Sequence, residues 1–432
     1  MSELYLGVAR EYISPKVGGH IFGYNMFTYS TAIHDDLEIT AFAFSYGKTK
    51  TIIINATVCL VCVAFCDEIR KELSQKTDIP YENILICSTH THTGPSLADS
   101  EDGWYSDVEY YRGIFYPAAI SVGLKAIKNS EPVRVAFGCG KSYAGVNRRK
   151  LTLENKAKLG QNPWAPFNPE MNLISFKNKS GKVVANIVSY SAHATAAGGS
   201  YTEISRDWPG IMTDELEKVS GGLTVFFNTT MGDTGPRLST GGTGGHGYCH
   251  VEEIGKIAAK DALEIYGNLS DYDEISFSVN CGILNIPVKP RIAYDVAAKH
   301  LNELQNTDGH LDSYVCNFYR KVKESYEKGY EEKEFKEIPQ TVVRIGNVAF
   351  APFPFEMFTE IGFRIDEAVE DLKIIIISYT NGQLLYFPTE DQLCRGGHEI
   401  NLFKHSNFQQ YVDNADFYAV KETLKNIEKL ER

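Results

Sequence analysis

The chain has 432 residues, a formal net charge of -12, and 43% hydrophobic and 23% charged residues, the balance of a globular protein large enough to bury a sizeable core. That acidic balance, with no Lys/Arg block, excludes nucleic acid as the main partner. Nine cysteines, an odd number without regular spacing, exclude a disulfide framework and fit a reducing compartment.

Met1 to Arg10 lacks the basic start and apolar core of a signal peptide, so a cytoplasmic location is expected. Gly18-Gly19-His20 and Gly23-Tyr24 precede an apolar-rich strand, Leu37 to Tyr46. Gly47-Lys48-Thr49-Lys50 turns that strand into a second, Thr51 to Ala56, as a hairpin. The longest apolar run, Thr51 to Phe65, contains Asn55 and is too short to cross a bilayer, so no stable membrane insertion is expected. Cys59, Cys62 and Cys66 lie in apolar surroundings without a fourth ligand nearby and read as packing cysteines. Phe65, Ile69 and Leu73 mark an amphipathic helix.

Ile84-Leu85-Ile86-Cys87 reads as a buried strand, and Gly94-Pro95 ends the stretch. If the backbone stays extended, its period of two puts Ser88, His90 and His92 on one face. Two imidazoles at a strand end suit a metal or an acid–base site. Two hydrogen-bonded loop histidines would look the same, and two ligands alone do not make a metal site.

Tyr105 to Lys128 reads as a helix, ended by Asn129-Ser130-Glu131-Pro132. Gly138-Cys139-Gly140-Lys141-Ser142 is no phosphate loop, because Val135 stands at the required glycine and no helical pattern follows. Asn172 to Lys177 and Lys182 to Tyr190 form a hairpin whose second strand runs into His193, a third histidine at a strand terminus. Leu223 to Asn228 is a short strand before Met231-Gly232-Asp233-Thr234-Gly235-Pro236-Arg237. The glycine-rich stretch Gly241 to Gly247 is either a lid or site wall or a plain surface loop. Val251, Ile254, Ala258, Ala262 and Ile265 define a helix.

Residues from about 291 to 336 read as a charged, solvated helical excursion. Val342 to Ala351 is a strand ended by Pro352, and Phe355-Glu356 opens a helix through Glu370. Ile374 to Ser378 is a buried strand, and Asn381-Gly382 is a hairpin turn before Leu384-Leu385-Tyr386. With no linker and no internal repeat, residues 1–432 read as a single α/β domain, a layered mixed sheet with its chemistry at strand ends.

His90-Thr91-His92-Thr93-Gly94-Pro95, Asn147-Arg148, Ala192-His193, Gly232-Asp233-Thr234-Gly235-Pro236, Phe355-Glu356 and Asn381-Gly382 to Tyr386 occur in an order that resembles the catalytic domain of neutral/alkaline non-lysosomal ceramidases. The resemblance runs from Gly7-Val8-Ala9 to about His398. It implies helices packed outside the sheets and a Zn2+ ion held by His90, His193, Glu356 and Tyr386. A catalytic zinc keeps three N/O ligands and an open position, and a phenol is an uncommon addition. The same resemblance makes His92 an acid–base or oxyanion-contacting imidazole and Arg148 a substrate-orienting cation. Asp207 matches a family aspartate and reads as a catalytic-group partner or a helix cap. Asn147, Asp233, Thr234, Gly235 and His398 fall on the substrate side.

This chain departs from the family pattern at three positions. Gly235 stands for a serine, Arg237 for an asparagine and His398 for a second site tyrosine; the family's C-terminal immunoglobulin-like domain is not expected here. The expectation is therefore a zinc-dependent hydrolase of an amide bond in a soluble N-acyl or related small molecule, using zinc-activated water. Long-chain ceramide is expected to be a poor substrate. A zinc esterase, lactonase or lyase is the alternative enzyme, and a non-catalytic metal-containing binding protein the alternative class. The partner is a small-molecule substrate, and the oligomeric state is left open, a homo-oligomer included.

Overall fold

Period-two alternation in the first long strands builds the centre of the molecule. The computed structural model describes residues 3–24, 28–99, 105–269, 272–305 and 313–430. Within it run β1 (Leu4–Tyr12), β2 (Glu38–Tyr46), β3 (Thr49–Ala56) and β4 (Ile84–Ser88). Phe42, Phe44, Ile53 and Leu85 point to one core, while Ala41, Ala43, Ile52, Ile54 and Ile86 point to the other. β5 (Glu131–Lys141), β6 (Glu170–Asn178), β7 (Val183–Tyr190) and β8 (Leu223–Asn228) complete an eight-stranded sheet, ordered β8-β7-β6-β5-β1-β2-β3-β4. The two outermost pairs are parallel and the inner pairs antiparallel.

A second sheet of four strands packs on one face of the first. It contains β9 (Phe277–Pro287), β10 (Phe335–Ile345), β11 (Val348–Pro352) and β12 (Lys373–Ile377), in that order, with β11 and β12 parallel. Phe277, Val343, Phe350 and Ile375 share the inter-sheet core with Phe44, Phe176 and Phe227. Helices cover the outer faces. α1 (Val63–Lys76) and α2 (Tyr116–Lys128) lay Leu73 and Val122 against Ile52 and Ile54. Beside them, α3 (Asp207–Ser220) and α4 (Tyr248–Gly267) lay Trp208 and Ile254 on Leu173 and Val188. The charged α5 (Tyr294–Gln305) and α6 (Ser313–Glu327) form the excursion. The second sheet's outer face is covered by α7 (Thr359–Glu367), α8 (His398–Lys404) and α9 (Ala415–Glu428). The result is the expected mixed α/β molecule, layered helix, sheet, sheet, helix. Among the described residues no helix is long and apolar enough to cross a membrane.

Several local expectations are corrected. The excursion stops before residue 335, because Phe335 and Lys336 already pair with Pro287 and Ile286 in β10; its residues 306–312 lie outside the described residues. The single strand expected over Val342 to Ala351 is a hairpin, turned at Gly346 with φ 63. The helix expected from Tyr105 starts at Val108, capped by the Asp107 carboxylate, and passes through a π-helical turn at Tyr111–Phe115 before α2.

Two corrections matter for function. Glu356 does not open a helix: Glu356–Met357 is a short strand paired in parallel with Tyr386–Phe387, and α7 begins only at Thr359. Asn381-Gly382 makes no hairpin either. The Asn381 Oδ1 accepts the Ile86 N–H at 2.9 Å, and its own N–H donates to the Ile86 carbonyl at 2.8 Å. Asn381 thus closes the free edge of β4, the last strand of the large sheet. The Ser378 N–H reaches the Asn228 carbonyl at 2.9 Å, so the carboxyl ends of β4, β8 and β12 come together.

Gly7 lies where β1 passes under the end of α2, and a Cβ there would be 1.9 Å from the Ala126 carbonyl oxygen. Gly7→Ala should therefore lower stability by about 1–3 kcal/mol through backbone overpacking. Gly244→Ala, with nothing within 4 Å, should change it by less than about 0.5 kcal/mol. Urea unfolding of the two variants measures the contrast.

Candidate metal centre

The centre is built on backbone carbonyls that fix two imidazoles. After β4 ends, the His90 N–H bonds to the Val58 carbonyl at 3.0 Å, and the chain turns through a left-handed φ of 67. The backbone is therefore not extended through the histidines, and the shared face expected from period two does not exist. The rings meet because of the turn. His90 Nδ1 lies 2.9 Å from the Cys59 carbonyl, and His193 Nδ1 lies 2.9 Å from the Thr234 carbonyl. A carbonyl only accepts, so both Nδ1 atoms carry the proton and both Nε2 atoms keep a lone pair.

Glu356 completes the trio. Its Oε2 stands 2.7 Å from His193 Nε2 and 3.7 Å from His90 Nε2, while Oε1 accepts the Tyr379 hydroxyl. Neither His193 Nε2 nor Glu356 Oε2 has a hydrogen-bond partner, although both are buried. One ligand atom from each of the three residues falls within 4.8 Å of the others. Three buried acceptors converge here, and two of them, His193 Nε2 and Glu356 Oε2, have no donor; a cation would satisfy them, so this donor set fits a divalent metal.

Electrostatics point the same way. Burial, helped by the neighbouring His193 and Arg148, pushes His90 down to about 4, against the opposing pull of Glu356. His193 is lowered by burial and then by Arg148. Burial works to raise the Glu356 carboxyl, but His90, His193 and Arg148 together hold it well below the usual carboxylate range. Two neutral imidazoles and one carboxylate are the protonation state that metal ligation needs.

His92 places its Nε2 3.0 Å from His90 Nε2. Burial and the two other histidines hold it neutral. The Tyr24 ring stands edge-on to it at 4.9 Å, and the backbone of Gly23, φ 128, lies against it so closely that a Cβ would be 2.5 Å from its Cγ. Tyr386 sits opposite Glu356 in the short parallel bridge, and its hydroxyl accepts from Arg148 Nη2 at 2.8 Å. Arg148 also donates through Nε to Glu399 at 3.1 Å, and Arg149 donates to the other oxygen of that buried carboxylate. Arg148 thus reaches Tyr386 from behind and does not line the cavity.

A cavity of about 160 Å³ opens on His90 and Glu356 of the trio and is lined by His92, Tyr386, Tyr24, Cys59, Gln383 and His398 among others; His193 does not line it. Of the residues placed on the substrate side, His398 lines it; Asn147, Asp233, Thr234 and Gly235 do not. Asp233 instead ties Asn147 to the start of α7, accepting from Asn147 Nδ2 at 3.1 Å and from the Thr359 hydroxyl at 2.8 Å. The space beside Gly235 is filled, since a Cβ there would be 2.9 Å from the Thr243 Cβ, which leaves no room for a bulkier substrate. The glycine-rich loop is tied behind His193: the Thr195 hydroxyl donates to the Thr243 carbonyl at 3.1 Å, and the Gly247 N–H to Ala197 at 2.8 Å. Asp207, at φ 56, also stands off the cavity and accepts the Ala196 and Ala197 N–H groups at 3.0 and 2.9 Å. Its neighbour Trp208 donates to the His193 carbonyl at 2.9 Å, so the pair holds the loop that carries His193.

Sequence reasoning missed Tyr379, Tyr24 and Gln383. Tyr379 follows a buried strand directly, the same signal that marked His193, and that rule would have found it. Cys59, read as a packing residue, is buried and also lines the cavity.

No family model matches the chain. A neutral ceramidase from Pseudomonas aeruginosa is 23% identical over 269 residues, 58% of this chain and 40% of that protein. Neutral ceramidase A of Dictyostelium discoideum is 23% identical over 245 residues, 54% of this chain and 34% of that protein. The matches thus span less than half the length of these relatives. The crystal structure of the Pseudomonas aeruginosa neutral ceramidase superimposes on 100% of this chain and 76% of its own, with a TM-score of 0.77 at 18% identity. The chain is similar to the neutral ceramidases in sequence over part of its length and in fold. A ceramidase complexed with C2 gives the same TM-score of 0.77 at 17% identity, covering 99% of this chain and 76% of that one. The ceramidase-like fold therefore extends over the whole described chain, beyond the part whose sequence aligns.

Glu399 compensates two buried guanidinium groups. Glu399→Gln should cost about 3–5 kcal/mol in urea unfolding, because it leaves those charges uncompensated. Glu252→Gln, which breaks only the exposed pair with Lys256, should leave the midpoint unchanged.

Proposed function

We propose that the chain is a zinc-dependent hydrolase of an amide bond in a small, soluble N-acyl compound. The observation that carries this reading is the convergence of His90 Nε2, His193 Nε2 and Glu356 Oε2, of which the last two are buried without a hydrogen-bond partner. The similarity to neutral ceramidases supports the amide. Zinc, when bound by His90, His193 and Glu356 with Tyr386 beside them, would supply Lewis acidity, polarising a carbonyl and lowering the pKa of a water molecule to about 7.

The chain's own residues do the remaining work. His92, held neutral, carries its proton at Nε2, which faces the His90 Nε2 lone pair at 3.0 Å, and is the cavity-wall imidazole placed to pass a proton to the leaving amine. The backbone of Gly23 and the ring of Tyr24 fix its orientation. Arg148 holds the Tyr386 hydroxyl through Nη2 and so acts on the reacting region through Tyr386. His398 and Gln383 offer polar contacts at the cavity wall. A cavity of about 160 Å³ suits a short acyl group better than a long alkyl chain.

Purified protein should contain about one zinc per chain, and His193→Ala should lose both metal and turnover. In a panel of amides and esters, soluble N-acyl compounds should be cleaved fastest, and a chelator should abolish the activity. Faster hydrolysis of long-chain ceramide in mixed micelles would overturn the substrate class, and protein purified without zinc but fully active would overturn the metal.

Among the described residues that line the cavity none is Ser or Thr. Burial and the charge of Glu356 raise the Cys59 thiol far above neutrality, which keeps it protonated and a poor nucleophile. Water is left as the attacking group, without an acyl-enzyme. Serine-directed fluorophosphonates should not inactivate the protein, and single turnover in heavy-oxygen water should label the product carboxylate. A substrate acyl group found on any side chain by mass spectrometry contradicts this route.

A further inference from the structure

The two oxygens of Glu356 are in different situations. Oε2 faces both imidazoles without a hydrogen-bond partner, and Oε1 accepts the Tyr379 hydroxyl. We propose that Tyr379 is a positioning residue that occupies Oε1, so that Glu356 presents Oε2 alone to a metal shared with His90 and His193. This inference rests on the metal reading given above.

Tyr379 is placed with care by the fold. It follows β12 at once, buried to 3% exposure, in a left-handed conformation of φ 46. A bulky residue adopts that conformation at a cost of about 1–2 kcal/mol and only where its surroundings impose it. The preceding residue supplies the restraint. The Ser378 N–H donates to the Asn228 carbonyl at 2.9 Å, and its hydroxyl donates to the Thr229 carbonyl, which locks this turn to the end of β8. The ring then stands edge-on to His90, with centroids 4.8 Å apart and planes at 66°. One side chain therefore touches two of the three ligands.

A buried phenol needs a hydrogen-bond partner, and a backbone carbonyl would have served. Here the partner is the ligand carboxylate itself. A carboxylate with both oxygens free can bind a small cation through one or through both. An O–H bonded to Oε1 competes with the second contact and leaves Oε2 as the better donor, the way outer partners orient ligands at metal sites. Tyr386 stands differently. It pairs with Glu356 in the backbone bridge, its hydroxyl accepts from Arg148, and the Glu356 carboxylate lies close enough to act on that phenol as well. Tyr379, whose hydroxyl donates to Oε1 and, among the described residues, has no arginine on it, is the phenol committed to the carboxylate.

Tyr379→Phe keeps the ring on His90 and removes only the O–H. In competition with a chromophoric chelator, the variant should bind zinc about 10- to 100-fold more weakly than wild type. The cobalt(II)-substituted variant should show weaker visible absorption, as the freed carboxylate binds through both oxygens and raises the coordination number. Metal-free Tyr379→Phe should melt like metal-free wild type, which separates ligand positioning from a general loss of structure. Tyr379→Leu, which removes the phenol at smaller volume, should show the same loss of affinity and serves if the first variant does not fold. A variant with wild-type zinc affinity and an unchanged cobalt spectrum overturns the role of Tyr379 and leaves the metal reading standing. Wild-type protein that takes up no metal overturns both.

Discussion

Two backbone carbonyls govern this molecule. Cys59 and Thr234 each accept a hydrogen bond from the Nδ1 of a histidine, and that fixes the tautomer that leaves both Nε2 atoms as acceptors. Adding the Glu356 carboxylate produces a cluster that repels itself in the absence of a cation. Two sheets end at the same place, with the Ser378 N–H on Asn228 and Asn381 on the edge of β4, and the cores behind them are packed with Phe44, Phe176, Phe227 and Phe350. Rigid strands on both sides keep the ligand atoms from relaxing apart.

Strain gathers at the same point. Six non-glycine residues have positive φ among the described residues: His90, Asn155, Asp207, Tyr379, Asn381 and Leu385. Asn155 lies in an exposed turn. The other five belong to the converging trio, hold the loop after His193, touch Glu356, close the edge of β4, or accept the Glu356 N–H at 2.9 Å. At about 1–3 kcal/mol each, that strain is tolerable only because the surrounding sheets over-determine the geometry. Gly232 shows how little slack remains, since a Cβ there would be 2.4 Å from the Glu356 carbonyl oxygen.

What the sequence reveals about this arrangement follows from range. Local patterns were readable: the Gly47 hairpin, the strand into His90, the strand into His193 and the helix over Val251 to Ile265 are all present. They were readable because hydrophobic period and turn chemistry act over a few residues. The failures lie where tertiary contacts decide the backbone. Asn381-Gly382 carries strong hairpin chemistry, but β4 offered an unpaired edge 295 residues away in sequence, and pairing with it won. Phe355-Glu356 looked like a helix start because an apolar periodic run follows; its pairing with Tyr386 delays the helix by three residues. Asp207 and Asp233 were legible as special residues but not as braces, since which N–H groups a carboxylate accepts depends on loops brought together only in three dimensions.

Charge gives the last link between scaffold and chemistry. Arg148 and Arg149 contribute two buried positive charges, and Glu399 and Glu356 two negative ones, so the connected cluster is neutral as it stands. A divalent cation beside Glu356 would leave an excess of two, unfavourable in a poorly solvated interior unless a nearby group loses a proton. Tyr386 is suited to that role. Its oxygen already accepts from Arg148 Nη2, so a guanidinium stands ready to stabilise a phenolate. Burial, with the Glu356 and Glu399 carboxylates, pushes this phenol upward, and Arg148 acts against them; a cation would act in the same direction as Arg148. Arg148 therefore has an electrostatic consequence for the site: it favours the charged form of the Tyr386 phenol, the form that would offset a cation beside Glu356.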